Sequence, residues 1–331
     1  MSHRRRIDEM HRLLARSIAA CALAAAACAH AFEPTKPIEL VVHTAPGGGN
    51  DVLARAIAVI AEKEKLLPVR MQVINKPGGN GAVAAAFLAE RKGDAHTIGL
   101  VTTNWIVGPL VTREAKVTLS DLTLIAQLVT EPALVAVRAD SPYHNMKEFI
   151  DAAKAKPGAL KQSGGTPTAR DSIMRQVLQQ HTGARWSFIS FPGGGERIAA
   201  LLGGHVDMMI IEPEEAGENI RAGKMRVIAQ VADKRLAAFP DVPTLREAGY
   251  PVALVPQMRG MVAPPGIPAD VVAYWEDFCR RLVRTASWRK YLQDNQFEDA
   301  FYTGPELARS LDATTQQLRA ILPEAGLKLV R

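Results

Sequence analysis

The residues of this chain whose types and spacing could do chemistry are glycines. Pro46-Gly47-Gly48-Gly49-Asn50, Pro77-Gly78-Gly79-Asn80-Gly81 and Pro192-Gly193-Gly194-Gly195 each follow a short apolar run and precede a segment of helical spacing, and Gly164-Gly165 is a weaker fourth case. Glycine lets the backbone come close to a ligand and take positive φ. The first amides of a following helix lack intrahelical partners, and the helix dipole adds partial positive charge there. Loop and helix end together make an anion site out of backbone alone. Glycine after a strand is also ordinary turn chemistry, but three such loops at strand-to-helix junctions shift the balance toward binding. A helix end contributes at most ~2 kcal/mol per charge, whereas micromolar affinity needs about 8 kcal/mol. Several loops, each giving charge-assisted bonds of roughly 1.5–3 kcal/mol, are therefore required. That favours an anion enclosed between two lobes over one lying on a surface.

Other chemistries find less support. Gly79-Asn80-Gly81-Ala82-Val83-Ala84 fits the dinucleotide fingerprint G-x-G-x-x-A, which makes a nucleotide-dependent enzyme the rival reading. That fingerprint wants an acid at the end of the next strand, and here the strand ends in Thr102-Thr103-Asn104. The sequence has no G-x-x-x-x-G-K-[ST] and no G-x-S-x-G. His43, His96, His144, His181 and His205 have no metal-ligand spacing, and Cys279 stands alone beyond the N-terminal segment. They read as structural or exposed, so no catalytic residue, cofactor or metal is expected. Glu212-Pro213-Glu214-Glu215 is an acidic cluster. It is either a solvated helix N-terminus, where acids are favourable, or a crevice wall or inter-lobe contact.

The elements that must position these loops alternate. Strands are expected at 38–43, 69–74 and 97–101, with helices at 52–65 (capped by Asn50 or Asp51) and 82–91 between them. This is the pattern of a parallel sheet covered by helices, whose ligand crevice lies at the carboxyl ends of the strands. Strands at 122–128 and 134–137 follow without a helix between, which marks a crossing into a second lobe. There the alternation resumes, with strands at 160–163, 186–190, 206–211 and 225–231, and helices at 146–156, 169–181, 196–202 and 214–222. The strand 225–231 is read as the return crossing, and the tail as mostly helix.

The first thirty residues read differently. Met1–Arg16 carries five arginines against Asp8 and Glu9, Ser17–Ala27 is small and apolar, and Ala29-His30-Ala31 ends the run. This is the pattern of a secretory signal cleaved after Ala31, and its apolar part is shorter than the roughly 20 residues needed to span a bilayer. Cys21 and Cys28 leave lipoprotein anchoring as a minor alternative. The formal charge of +6 falls to +3 when five basic and two acidic residues leave. That modest balance, with no Lys/Arg block, argues against nucleic acid as a partner. The remaining 300 or so residues suffice for two lobes held by their own cores.

Taken in order, the motifs make the chain resemble the periplasmic solute receptors of tripartite tricarboxylate transporters, the Bug family. The resemblance rests on Ala45-Pro46-Gly47-Gly48-Gly49-Asn50-Asp51-Val52-Leu53-Ala54-Arg55 and Asn75-Lys76-Pro77-Gly78-Gly79-Asn80-Gly81. It continues through Ala200-Leu201-Leu202-Gly203-Gly204-His205-Val206-Asp207 and Ile220-Arg221-Ala222-Gly223-Lys224-Met225-Arg226. It closes with Phe239-Pro240-Asp241-Val242-Pro243-Thr244 and Ala263-Pro264-Pro265-Gly266-Ile267-Pro268. It implies an α/β, two-lobed type II periplasmic-binding fold, each lobe a mostly parallel sheet flanked by helices and the two joined by two crossing strands. The expected boundaries are 32–127 and 231–331 for lobe 1 and 128–230 for lobe 2. The implied function is that of a periplasmic receptor, not an enzyme. It is expected to be a monomer that captures a small mono-, di- or tricarboxylate and delivers it to the permease subunits of a tripartite transporter or, alternatively, informs a sensor kinase.

The resemblance also implies the site. The ligand carboxylate would be held by the first loop, Pro46 through Asp51, and by Pro192, Gly193, Gly194 and Gly195 of the other lobe. By position, Thr102, Asn104, Gly164, Gly165, Thr166 and Thr168 would line the crevice, with Glu212 at its wall. Two places depart from the family pattern. Phe191-Pro192-Gly193 stands where such receptors usually read Tyr-Lys-Gly, and proline removes a backbone donor. Arg170 stands where small polar residues are common. It is either a solvated surface arginine or a bidentate partner for a second carboxylate.

Overall fold

The computed structural model describes residues 32–191 and 193–331. The signal peptide expected at 1–31 and Pro192 of the third glycine loop lie outside the described residues. From the first strand onward the chain builds β1 (Ile38–Val42), α1 (Gly49–Lys63), β2 (Met71–Asn75), α2 (Ala82–Ala89), β3 (Thr97–Thr102), α3 (Asn104–Val111), β4 (Thr123–Thr130) and β5 (Ala133–Arg138). There follow α4 (Met146–Ala155), β6 (Lys161–Gly164), α5 (Arg170–Thr182), β7 (Ser187–Ser190), α6 (Gly194–Leu202), β8 (Met208–Ile211), α7 (Pro213–Arg221) and β9 (Met225–Val231). The chain ends with β10 (Met258–Ala263), α8 (Ala269–Arg284), α9 (Ala286–Asn295), β11 (Glu298–Tyr302) and α10 (Gly304–Glu324).

The strands form two sheets, ordered β11-β4-β10-β3-β1-β2 and β7-β6-β8-β5-β9, within one compact unit, Pro34–Arg331. In the first, β1 is parallel to β2 and β3, and in the second β6 is parallel to β7 and β8. Each sheet takes in one antiparallel strand just after a crossing: β5 lies between β8 and β9, and β10 between β3 and β4. The chain passes from the first sheet to the second at Glu131-Pro132, between β4 and β5, and returns between β9 and β10. Helices cover the sheets, and all six residues of β3 are buried, as expected where both faces of a strand are packed. The spacing of Leu53, Ala54, Ile57, Ile60 and Ala61 turns one apolar stripe of α1 inward. In the C-terminal helices Trp275, Phe278, Cys279 and Trp288 are fully buried. Cys279 therefore sits inside a helix core, where burial pushes its thiol up.

Several elements depart from the sequence reading. The strand Met225–Val231 belongs wholly to the second sheet, and the return is completed by β10, which was not expected. Arg259 and Gly260 interrupt the apolar run of β10, although all six of its residues are buried. Helices α3 and α9 and the edge strand β11 were also not anticipated. Helices α1 and α6 begin earlier than their apolar periodicity indicates, so Gly49 and Gly194 are first-turn residues. The residue capping α1 is Gly48, with no side-chain cap, in place of Asn50 or Asp51.

Candidate functional site

A cavity of about 550 Å³ lies where the loops at the carboxyl ends of the strands of both sheets converge. From the first sheet's loops come Gly48, Gly49, Asn50, Thr102 and Asn104, and from the second sheet's come Gly165, Thr166, Arg170, Gly193, Gly194 and Glu212. The loop with the dinucleotide pattern lines the same cavity through Pro77, Gly78, Gly79 and Asn80. The remaining expected residues among those described do not line it. Pro46 and Gly47 are exposed at the loop tip, Gly195 is exposed on α6, and Thr168 is half-buried beside the wall. Gly164 is buried against Phe188 and Asp171. Asp51 is buried and ties the first loop together: its carboxylate accepts from Gly47 N (2.9 Å), from Nε and Nη2 of Arg55 (2.9 Å each) and from Nδ2 of Asn75 (2.9 Å). Burial works to raise this carboxyl, but those hydrogen bonds hold it below its usual range.

The wall also carries charge that the loop pattern did not reveal. His43, Asp171, Arg197, Glu215, Gln257 and Arg259 all line the cavity. Arg259, 2% exposed, forms a two-pronged pair with Glu131, Nε and Nη2 standing 2.9 and 2.6 Å from Oε2, and lies 3.6 Å from Glu214. Arg170 is buried, not solvated. Its Nη1 donates to Glu131 O (2.5 Å), and its Nη2 to Pro132 O (3.2 Å) and Glu212 Oε1 (2.7 Å). It thus pins the segment linking β4 to β5 onto the start of α7. Arg197 donates to Ile210 O (2.6 Å) and stands 3.4 Å from Asp171 and 4.0 Å from Glu215.

The acidic cluster is a wall and not a solvated helix end: the side chains of Glu214 and Glu215 are 1% and 8% exposed. Glu215 reaches across from α7 to accept from Gly49 N, the first amide of α1, at 2.8 Å. Burial pushes the Glu215 carboxyl up to about 7, with Glu212 adding to the rise and Arg197 and Arg259 opposing it. Glu212 goes the other way: burial is outweighed by Arg170, Arg197 and Arg259, and its carboxyl is held below the usual range. His43 accepts at Nδ1 from Trp105 Nε1 (3.1 Å), and Asn50 Nδ2 lies 3.1 Å from the same atom while donating to Leu100 O (2.7 Å). Burial, and then the charge of Arg259, bring His43 down to about 3. It is therefore a neutral structural base holding Asn50 in place. Across the cavity, Thr166 Oγ1 donates to Asn80 Oδ1 at 2.9 Å.

Part of this set was within reach of sequence reasoning. Glu215 belongs to the acidic cluster already singled out, and Arg197 lies two residues beyond the third glycine loop. Arg259 and Gln257 had no signal, because the strand that carries Arg259 was itself not recognised.

Comparison with known proteins gives a consistent picture. Residues 53–327 match the model of the tripartite tricarboxylate transporter family receptor. A Cupriavidus necator protein, the UPF0065 protein in the gbd 5' region, is 30% identical over 295 residues, 89% of each chain. Protein BugT of Bordetella pertussis is 28% identical over 258 residues, 77% of this chain and 78% of its own. Among solved structures, one described as a periplasmic transporter superposes with a TM-score of 0.83 at 26% identity, covering 90% of this chain and 99% of its own. R. palustris Rpa4515 with adipate gives 0.84 at 22% identity, covering 89% and 98%, and so supports the fold.

Proposed function

Because the chain belongs to the receptor family of the tripartite tricarboxylate transporters, we propose that it is a periplasmic solute receptor that holds a small carboxylate in the cavity between its two sheets and presents it to the transporter's membrane subunits. The observation that carries this reading is the convergence of glycine loops from both sheets on one cavity of about 550 Å³. That volume is within the range of small-molecule sites. Adipate in Rpa4515 and malate in MatC of Rhodopseudomonas palustris, the ligands of two chains of like fold, agree with a carboxylate. The expected ligand contacts are Gly48, Gly49, Asn50, Thr102 and Asn104 on one side and Gly165, Thr166, Gly193 and Gly194 on the other. The lobes pivot where the chain passes between sheets, at Glu131-Pro132 and beyond Val231. No helix among the described residues is long and apolar enough to cross a membrane.

A thermal-shift panel of mono-, di- and tricarboxylates, amino-substituted ones included, tests the reading. A ligand at 100 times its Kd stabilises the folded state by about 2.7 kcal/mol, which raises Tm by several degrees. At least one carboxylate is expected to do so, and uncharged polyols of the same size are not. A flat response across the whole panel would overturn the reading. Loss of uptake of the identified ligand on deleting the receptor gene separates transport from signalling.

A further inference from the structure

The three acids that line the cavity, Asp171, Glu212 and Glu215, face three guanidinium groups, but the pairings are unequal. Glu212 Oε1 stands 2.7 Å from Arg170, and Asp171 Oδ2 stands 3.4 Å from Arg197. The Glu215 contact is the loosest: Oε2 lies 4.0 Å from Arg197 Nη1, on a guanidinium that Asp171 approaches more closely. Glu215 is also the acid wedged between the first turns of α1 and α6. Its Oε1 accepts from Gly49 N at 2.8 Å, and a Cβ on Gly194 would lie 2.2 Å from its Oε2. Gly49 and Gly194 are both expected contacts of the ligand, so a carboxylate bound by them comes to rest beside the carboxyl of Glu215.

That side chain is 8% exposed, so little water stands between the two groups to screen their charges. Where two carboxylates share one site, one of them keeps its proton. The groups facing Glu215 already lean that way. Glu212 and Glu214 at the start of its own helix and Glu131 of the crossing stand against Arg197 of α6 and Arg259 of β10, while α1 presents the amide of Gly49. Burial, and then Glu212, push the carboxyl up to about 7. The proton also changes what the wall offers. Oε2 is buried without a hydrogen-bond partner. Ionised, it is an acceptor that a ligand carboxylate cannot use. Protonated, it is an O–H donor, while Oε1 stays on Gly49 N. Hydrogen bonds from O–H to a carboxylate are among the short, strong ones.

We propose that Glu215 serves the ligand as a neutral acid, so that this receptor captures its carboxylate together with one proton from solvent. Glu215 is then a ligand-positioning residue. It holds the bound carboxylate from the second sheet while its other oxygen stays tied to the first. The proposal rests on the receptor reading given above and adds the protonation state in which the site works.

The test is calorimetric titration of protein expressed from the full-length chain with acetate, benzoate, succinate, malate, adipate and citrate, continued with the tightest binder among them. Repeating it in phosphate and in Tris, buffers of different ionisation enthalpy, counts the protons taken up. The expected count is about one per ligand at about pH 8, with the affinity falling about tenfold between about pH 7 and 8.5. Glu215→Gln keeps an acceptor and a donor on the same side chain at every pH. It is expected to take up no proton, to vary less than about threefold over that range, and to bind more tightly than the wild type at about pH 8.5. A wild-type count near zero with binding intact overturns the proposal and leaves the carboxylate receptor standing, whether or not the variant folds. Proton uptake that persists in the variant overturns it as well, because the proton then belongs to another buried acid, and so does a variant that binds weakly at every pH. Silence from all the acids overturns the receptor reading along with it.

Discussion

Arg259 illustrates how the cavity wall holds its charges. A guanidinium group taken out of water is costly, and its attraction to a buried carboxylate offsets that cost only when the geometry is close. Here two nitrogens reach one Glu131 oxygen at 2.9 and 2.6 Å, and Glu214 stands 3.6 Å away. These acids keep the arginine protonated against the pull of burial. Removing one partner leaves an uncompensated buried charge. Glu131→Ala is therefore expected to destabilise the protein by about 3–5 kcal/mol, read as a lower urea midpoint with an unchanged slope. The double replacement Glu131→Leu with Arg259→Met removes both charges and is expected to cost less than the single change. A double variant at least as unstable as the single one would show that the pair itself is a net source of stability.

Among the elements, the decisive ones are the two helices that begin inside glycine loops. A Cβ on Gly49 would come within 2.5 Å of Arg259 Nη2 and 2.8 Å of Glu215 Oε1, and one on Gly194 would overlap the Glu215 carboxylate, whereas one on Gly195 would meet nothing within 4 Å. Gly49→Ala and Gly194→Ala are each expected to cost about 1–3 kcal/mol, the usual range for overpacking, and to weaken ligand binding. Gly195→Ala is expected to be neutral or to stabilise by about 0.4–1 kcal/mol, because alanine narrows the unfolded ensemble. Chemical denaturation of the three variants side by side checks the ordering, and equal losses at all three would refute it. The same loops show what the sequence could convey. Strand–loop–helix order and the four glycine clusters are local patterns, so the parallel cores of both sheets and much of the cavity lining were legible. Which charged residues face the cavity depends on contacts between distant segments. Glu215 meets Gly49 across 166 positions, and Arg259 meets Glu131 across 128. A buried arginine in a strand also erases the apolar run by which that strand would be recognised, which is why β10 and its chemistry were missed together. The sequence left Arg170 between a surface residue and a ligand partner; the structure rules out the surface, and the partners that bury it, Glu131 O, Pro132 O and Glu212, arrive only with the crossing between sheets.

For the whole molecule, two buried groups set opposing responses to acid. His43 is brought from 6.5 to about 3 by burial and by Arg259. Its neutral form is favoured in the folded state, so its contribution is present above pH 6.5 and is lost as pH falls toward 3. Glu215 is raised from 4.5 to about 7. Its protonated form is favoured in the folded state, so its contribution is full below pH 4.5 and is lost as pH rises through about 7. The groups facing Glu215 are Glu212 and Glu131, which raise it, and Arg197 and Arg259, which lower it. Between pH 6.5 and 4.5 acidification therefore draws on His43 while Glu215 returns a comparable amount. A displacement from 4.5 to about 7 corresponds to on the order of 3 kcal/mol. Glu215→Gln removes only the compensating side. The stability of the wild type relative to this variant is expected to rise by on the order of 3 kcal/mol as pH falls from about 7 to 4.5, with the variant the more acid-sensitive of the two. Urea midpoints for both proteins at intervals across this range measure the difference directly. Parallel profiles would mean that Glu215 titrates near its ordinary value, and an acid-resistant variant would mean that the sign assigned to Glu215 is wrong.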